Sequence, residues 1–171
     1  MICKSVDRAK KILKAGFLLA AFVSLPCAAN TIVSMQTDLG SVEIELFDTA
    51  APETVKNFLN YVNAPEPDNY DGTFIHRSDP GFVLQMGGYI FDPAEGDFFA
   101  QGTRHIPTDP PVVNEFGMSN VRGTIAMAKL EGDPNSATSE FFFNLADNSE
   151  NLDNQNGGFT VFAQVISGQD V

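Results

Sequence analysis

The 171-residue sequence contains no tryptophan, two histidines and two cysteines, and its ten basic residues are outnumbered by 22 acidic ones. Both cysteines, Cys3 and Cys27, precede residue 30, so the rest of the chain has no thiol for a disulfide or a zinc site. Two histidines alone cannot supply four zinc ligands, and no metal-binding spacing is present. We therefore expect neither a metal nor a cofactor.

Residues 1–29 have the pattern of a secretory signal peptide. Five basic residues precede an apolar run, residues 15–25, which is short for a membrane span and is ended by Pro26. The small residues 27–29 then offer a cleavage site before Asn30. An uncleaved membrane anchor is disfavoured by the length of the run, and a lipid on Cys27 by the neighbouring Ser24 and Pro26. We expect export to the periplasm and one domain over residues 30–171.

This domain carries five basic and 21 acidic residues, a formal charge of −16. Such a charge repels nucleic acid and anionic lipid at long range, so we expect no nucleic-acid partner and no membrane association after cleavage. It favours solubility, and we expect a monomer.

The domain contains many short strand-like segments and one helix. Residues 31–37 and 41–47 alternate around the turn at 38–40 and predict a hairpin with Val42, Ile44 and Leu46 on one face. A helix is expected from Pro52 to residue 62, with Asp48 and Thr49 as caps and Val55, Phe58, Leu59 and Val62 on its apolar face. Further strands are expected near 73–76, 82–86, 112–116, 123–128, 141–145 and 160–166, which favours a barrel or sandwich. Residues 90–111 are expected to form a long surface loop.

Four segments carry the functional signal: HRSDPGFVLQMGG at 76–88, RGTIAMAK at 122–129, NSATSEFFFNL at 135–145 and LDNQNGGFTVFAQV at 152–165. In this order and spacing they resemble the cyclophilin family of peptidyl-prolyl cis/trans isomerases, especially its exported bacterial branch. The resemblance covers nearly all of residues 31–171. It implies a mainly β fold, a closed eight-stranded antiparallel barrel with two capping helices and a substrate groove on its outer surface.

The resemblance also implies roles for individual residues. Arg77 matches the catalytic arginine, and His76 and Gln85 match polar groups of the groove. Ala128 and Lys129 match a loop whose backbone pairs with the substrate. The proline pocket is matched by Phe82, Val83, Phe142, Leu152 and Phe159.

The chemistry of these residue types agrees with the assignment. Rotation about an X-Pro bond crosses a barrier of roughly 20 kcal/mol, and midway the nitrogen gains a lone pair that a fixed guanidinium can stabilise. Arg77 can do this without losing a proton, and an apolar cup can hold the proline ring while Gln85 binds the flanking peptide groups. No cofactor is needed.

Alternation along residues 140–144 sends Phe141 and Phe143 into the core and Glu140, Phe142 and Asn144 to the groove face. Glu140 departs from the family, which usually has glutamine there, and we expect it either to pair with Arg77 and slow the enzyme or to turn toward water without effect. Asp79 also departs from the pattern and is expected to point to solvent. Asn151 replaces a tryptophan common in the family, which implies weak cyclosporin binding.

Two other motifs suggest different functions. Residues 153–164 resemble a calcium loop with Gly158 at its sixth position, but Gly157 occupies a ligand position and Gln164 replaces the bidentate glutamate. His76 and His105 suggest acid–base catalysis, but a hydrogen-bonding role is equally consistent because the isomerisation transfers no proton.

The leading hypothesis is an exported isomerase that assists folding by acting on proline-containing, unfolded or partly folded polypeptides. The alternatives are a non-catalytic proline-binding or chaperone module and a truncated, inactive domain. The family's last helix and strand have no counterpart before Val171, so we expect an exposed barrel edge and reduced stability.

Overall fold

The computed structural model describes residues 30–66, 68–92, 94 and 102–171. The predicted signal peptide, residues 1–29, lies outside these ranges. Within them, none of the helices has the length and apolar character to cross a membrane.

The described part of the chain starts with the predicted hairpin, which is confirmed. Strand β1 spans Ile32–Thr37 and β2 spans Gly40–Leu46, paired antiparallel around the turn between them. Ile44 and Leu46 are fully buried and Val42 packs against the same core, whereas the intervening glutamates point outward. The period-two pattern of the sequence therefore sets which face of the hairpin is inside.

Helix α1 spans Pro52–Asn63, as predicted, but its capping differs from the prediction. Asp48 instead accepts hydrogen bonds from the backbone N and Oγ1 of Thr31. The free N–H groups at the start of α1 are bound by the carboxylate of Glu115, 61 and 62 residues away in sequence. A negative charge is favourable at this end of a helix.

The apolar face of α1 also differs in one position. Val55 and Phe58 are buried as expected, but Val62 is 36% exposed and Tyr61 is only 2% exposed. The Tyr61 hydroxyl accepts a hydrogen bond from the N–H of Asp109. A tyrosine is buried without loss when its oxygen finds such a partner.

The remaining elements are short. They are β3 (Arg77–Asp79), β4 (Val83–Met86), β5 (Tyr89–Phe91), β6 (Thr103–His105), β7 (Thr124–Met127), β8 (Phe141–Asn144), α2 (Ser149–Leu152) and β9 (Val161–Ser167). Seven strands form one antiparallel sheet in the order β1-β2-β9-β7-β8-β4-β3, and β5 pairs with β6. The sheet curls into a half-barrel with β1 and β3 at its edges, and the mainly β fold class is confirmed.

Three local predictions were wrong. Residues 73–76 and 112–116 contribute isolated bridges at Thr73 and Val112 rather than strands. The expected long loop over 90–111 instead contains the β5–β6 pair. The one-turn helix α2 was not predicted, since four residues are too few to show a helical period.

The curled sheet is buried on both faces. Its inner face packs with α1 in a cluster that includes Ile125, Phe141 and Phe162. On its outer face Ala126, Phe142 and Val161 form a second cluster with Val83 and Leu152. Alternation within β7 and β8 thus divides neighbouring residues between the core and an outer apolar surface, as predicted for Phe141 and Phe142.

Candidate active site

The register of the sheet aligns three of the predicted site residues across neighbouring strands. Arg77 of β3 is paired with Gln85 of β4, and Gln85 is paired with Phe142 of β8. Directly opposed residues in a sheet point to the same face. The candidate cation, the amide and the aromatic ring therefore stand in one row on the outer face.

This row borders a cavity of ≈ 210 Å³. The residues that line it are Arg77, Phe82, Val83, Gln85, Ala128, Lys129, Phe142, Leu152, Gln155 and Phe159. Nine of these ten are predicted site residues, and the tenth, Gln155, follows α2. Typical small-molecule sites hold about 300–1,000 Å³, so this volume suits one side chain and its adjoining peptide groups.

The apolar wall of the cavity is aromatic. The rings of Phe142 and Phe159 meet nearly edge to face with centroids 5.8 Å apart. The guanidinium carbon of Arg77 lies 5.7 Å from the ring centre of Phe82, within reach of a cation–π contact. A larger opening of ≈ 420 Å³ beside α1 is lined by neither an aromatic ring nor an arginine, so it lacks these features.

The two cations at the cavity are held differently. Arg77 Nη2 lies 3.3 Å from Asp79 Oδ2, and both side chains are 49% exposed, which corrects the expectation that Asp79 only points to solvent. Because the pair is half exposed, it restrains the guanidinium weakly. Lys129 Nζ instead donates to the backbone oxygens of Asn156 and Gly158, and burial lowers the pKa of this amine despite the opposing effect of Asp133.

The predicted pairing of Glu140 with Arg77 is wrong. Glu140 does lie on the groove side, but its Oε2 accepts a hydrogen bond of 2.6 Å from Gln85 Nε2. The same carboxylate lies 3.3 Å from His76 Nε2 and 3.2 Å from His105 Nε2. The register explains this, since Gln85 stands between Arg77 and β8 and meets the carboxylate first.

His76 and Glu140 are the two predicted site residues that do not line the cavity. The N–H of His76 donates to the carbonyl oxygen of Gln85, and its ring packs edge to face against Tyr89 at 4.9 Å. Its Nδ1 is buried and has no hydrogen-bond partner among the described residues. The position favours a hydrogen-bonding role over proton transfer to a molecule in the cavity.

A buried asparagine network supports the cavity from behind, and the sequence analysis missed it. Asn144 Nδ2 donates to Asn120 Oδ1 and Thr124 Oγ1, and Asn148 Nδ2 donates to Asn144 Oδ1. Asn148 also binds the carbonyl oxygen of Phe82.

The same network reaches the opposite wall. Asn120 Nδ2 donates to the carbonyl oxygen of Phe159, and both nitrogens of Asn120 donate to Asp153, next to Leu152. Asparagine is common in loops, so the type of residue gave no signal. The one available hint was Asn144, which alternation placed on the groove face.

The assembled site can bind a compact apolar group with a guanidinium on one side and an amide on the other. Within the described ranges, no three His, Cys, Asp or Glu side chains are arranged to hold a metal ion. The groups present offer positioning and hydrogen-bond donation from a permanent cation.

Comparison with known proteins gives a consistent result. Residues 32–171 match the family model "Cyclophilin type peptidyl-prolyl cis-trans isomerase/CLD". The chain is 41% identical over 152 residues to a peptidyl-prolyl cis-trans isomerase of Acinetobacter baylyi, covering 87% of this chain and 73% of that one. It is 40% identical over 148 residues to peptidyl-prolyl cis-trans isomerase B of Escherichia coli, covering 82% and 80%.

A solved structure resembles the fold as well. It is a cyclophilin-type peptidyl-prolyl cis-trans isomerase of Cryptosporidium parvum, determined in the presence of the dipeptide Ala-Pro. It is 26% identical, with a TM-score of 0.58, and the match covers 82% of this chain and 81% of that one.

Proposed function

The chain belongs to the cyclophilin-type peptidyl-prolyl cis-trans isomerases, and from this premise we propose that it accelerates X-Pro rotation in exported proteins with Arg77 as the catalytic residue. The observation that carries the proposal is the row of Arg77, Gln85 and Phe142 across three strands beside a cavity lined by aromatic rings.

The proline ring is proposed to sit against Phe82, Phe142 and Phe159. An apolar ring buried there leaves water at about 25 cal/mol per Å² of surface, which anchors one end of the peptide bond. Gln85 would bind a flanking peptide group, so that the two ends of the bond are held independently and one turns against the other.

Arg77 is proposed to donate to the amide nitrogen as it becomes pyramidal. The guanidinium remains charged at every working pH and is only half exposed, so its hydrogen bond is stronger than one in open water. Asp79 competes for the same donor group, but a half-exposed pair of this kind is weak enough for the substrate to displace it.

The test is the rate of proline isomerisation in a protease-coupled assay with a short Ala-Pro peptide. Arg77→Ala should lower kcat/KM at least 100-fold, about 3 kcal/mol of transition-state stabilisation. Phe142→Ala should chiefly raise KM. Arg122→Ala is the matched control, because Arg122 is exposed and its Nη1 binds the Leu145 carbonyl oxygen away from this cavity.

The same assay also distinguishes the isomerase hypothesis from the hypothesis of a non-catalytic proline-binding module. An unchanged rate in Arg77→Ala would contradict the role of the guanidinium. A wild-type protein that binds the Ala-Pro peptide without accelerating its isomerisation would favour the binding module instead.

The proposed site of action is the periplasm, where the protein would assist the folding of proline-containing polypeptides as a monomer. The basic and apolar pattern of residues 1–29 supports export. N-terminal sequencing of protein from the cell-envelope fraction should find Asn30 first. An intact Met1 or a lipid on Cys27 would contradict it. Weak cyclosporin binding stays a prediction.

A further inference from the structure

We propose that Glu140 is a positioning residue which fixes the orientation of the Gln85 side-chain amide, and that the imidazole of His105 holds Glu140 in place. The inference rests on the proposed function in that Gln85 is taken to bind the substrate. It concerns a residue of this chain that stands where the family usually has glutamine.

The chemistry of a carboxylate determines which end of the amide faces it. A carboxylate only accepts hydrogen bonds, so at 2.6 Å from Glu140 Oε2 the Gln85 group must be the NH₂ and not the oxygen. Gln85 lines the cavity and Glu140 does not, so with its NH₂ turned to Glu140 the amide has its oxygen on the cavity side. The amide therefore offers its oxygen to the cavity, as an acceptor for a substrate backbone N–H.

A glutamine at position 140 would not fix this orientation. An amide can turn either its oxygen or its NH₂ toward Gln85, so both orientations of Gln85 would be allowed. The carboxylate removes that ambiguity, and its hydrogen bond is charge-assisted and short.

The second carboxylate oxygen of Glu140 faces the ring of His105. Its Nδ1 lies 2.7 Å from the carbonyl oxygen of Ile106, which can only accept, so Nδ1 carries a hydrogen. In the neutral ring Nε2 would then turn a lone pair toward Glu140 Oε1 at 3.2 Å, and two acceptors would repel. The contact is attractive when His105 is an imidazolium, which donates from both nitrogens.

The other groups that face Glu140 are compatible with this arrangement. His76 Nε2 can donate to Oε2, and the Tyr89 ring packs edge to face against both imidazoles at 4.8 and 4.9 Å. The nearby arginines lie elsewhere: Arg77 contacts Asp79, and Arg104 contacts Asp92. His105 and His76 are thus the imidazole partners of the carboxylate.

Gly88 provides the space that Glu140 occupies. A Cβ atom built at Gly88 would lie 2.5 Å from Glu140 Oε1 and 2.8 Å from its Cδ. Because the obstructing atoms are the end of a flexible side chain, Gly88→Ala should displace the carboxylate without removing it. This variant therefore tests whether the position of the Glu140 carboxylate matters, while its negative charge is kept.

The test uses the ¹⁵N-labelled protein and the side-chain NH₂ resonances of Gln85, assigned by their loss in Gln85→Met. In wild type the hydrogen bonded to Glu140 should appear at low field, and Glu140→Gln and Gly88→Ala should both move it toward the value of a free amide. Glu43→Gln is the matched control, since Glu43 is exposed on β2. Resonances unchanged in both variants would overturn the proposal.

The second readout is function. Glu140→Gln should raise Kd and KM for an Ala-Pro tetrapeptide about three- to ten-fold, the range expected for one hydrogen bond, with little change in kcat. An equal loss in kcat and kcat/KM would overturn a positioning role. If wild type fails to isomerise the peptide while the resonances shift as expected, the proposed function fails and the contact stands.

The third readout is the variant His105→Ala, which removes the contact to Glu140 Oε1. The low-field resonance of Gln85 should then move toward the value of a free amide, and KM for the peptide should rise. A Gln85 resonance that is identical in wild type and His105→Ala would overturn the part assigned to His105.

Discussion

Replacing Asn144 by alanine would remove the centre of the buried network behind the cavity. Asn144 is 2% exposed and makes three side-chain hydrogen bonds. Its loss leaves Asn120 Oδ1 and one N–H of Asn148 without partners, whereas Thr124 Oγ1 still donates to the Val121 carbonyl oxygen. Each buried group left unsatisfied costs about 1–3 kcal/mol, so the total should be roughly 2–6 kcal/mol.

This loss is large against the 5–15 kcal/mol that typically stabilises a domain. For a protein of this length it corresponds to a decrease in Tm of roughly 5–20 °C, measurable by calorimetry or by urea unfolding. Below Tm the variant should also show a higher KM, because Asn148 and Asn120 bind the backbone oxygens of Phe82 and Phe159.

The matched control is Asn60→Ala, an exposed position on α1 that should change stability by less than about 0.5 kcal/mol. A loss in Asn144→Ala that is no larger than the control would refute the reasoning. So would an unchanged KM in a clearly destabilised variant, since the network would then support the fold without placing the cavity walls.

Two further predictions concern stability. Glu115→Gln should cost about 1 kcal/mol in urea unfolding, because the carboxylate accepts from Thr54 N and Oγ1 at the start of α1; a cost equal to that of Glu53→Gln would contradict this. Burial raises the pKa of Tyr70 well above its usual range, with a smaller contribution from Tyr61. Above about pH 10 the unfolded chain loses the Tyr70 proton and the folded chain keeps it, so stability should fall as pH rises, and Tyr70→Phe should flatten the fall; equal slopes would contradict it.

Local sequence patterns predicted helix α1 but not its N-terminal cap. Pro52 and the apolar spacing predicted the bounds of the helix, because these signals act within a few residues. The same signals did not predict the cap, because the tertiary fold brings Glu115 to the start of the helix and no residue near Asp48 indicates that contact. Local signals therefore define an element, and distant contacts complete its ends.

In the candidate site, too, the sequence predicted some features and not others. The family resemblance carried by the four motifs predicted the members of the site, and nine of the eleven predicted residues line one cavity. Alternation along β8 placed Phe142 on the outer face, since a strand has a period of two whatever its neighbours are. The partner of Glu140 could not be predicted in this way.

The sequence by itself determined the hairpin and the main helix, because these depend on local periodicity, and the resemblance of its four motifs to the cyclophilin family indicated the residues of the site. The tertiary structure alone decided which charges meet. Register between β3, β4 and β8 sets Gln85 between Arg77 and Glu140, and the β5–β6 pair brings His105 to the carboxylate. Such contacts join residues tens of positions apart, and ionic and hydrogen bonds depend on distances of a few tenths of an ångström that no local pattern encodes.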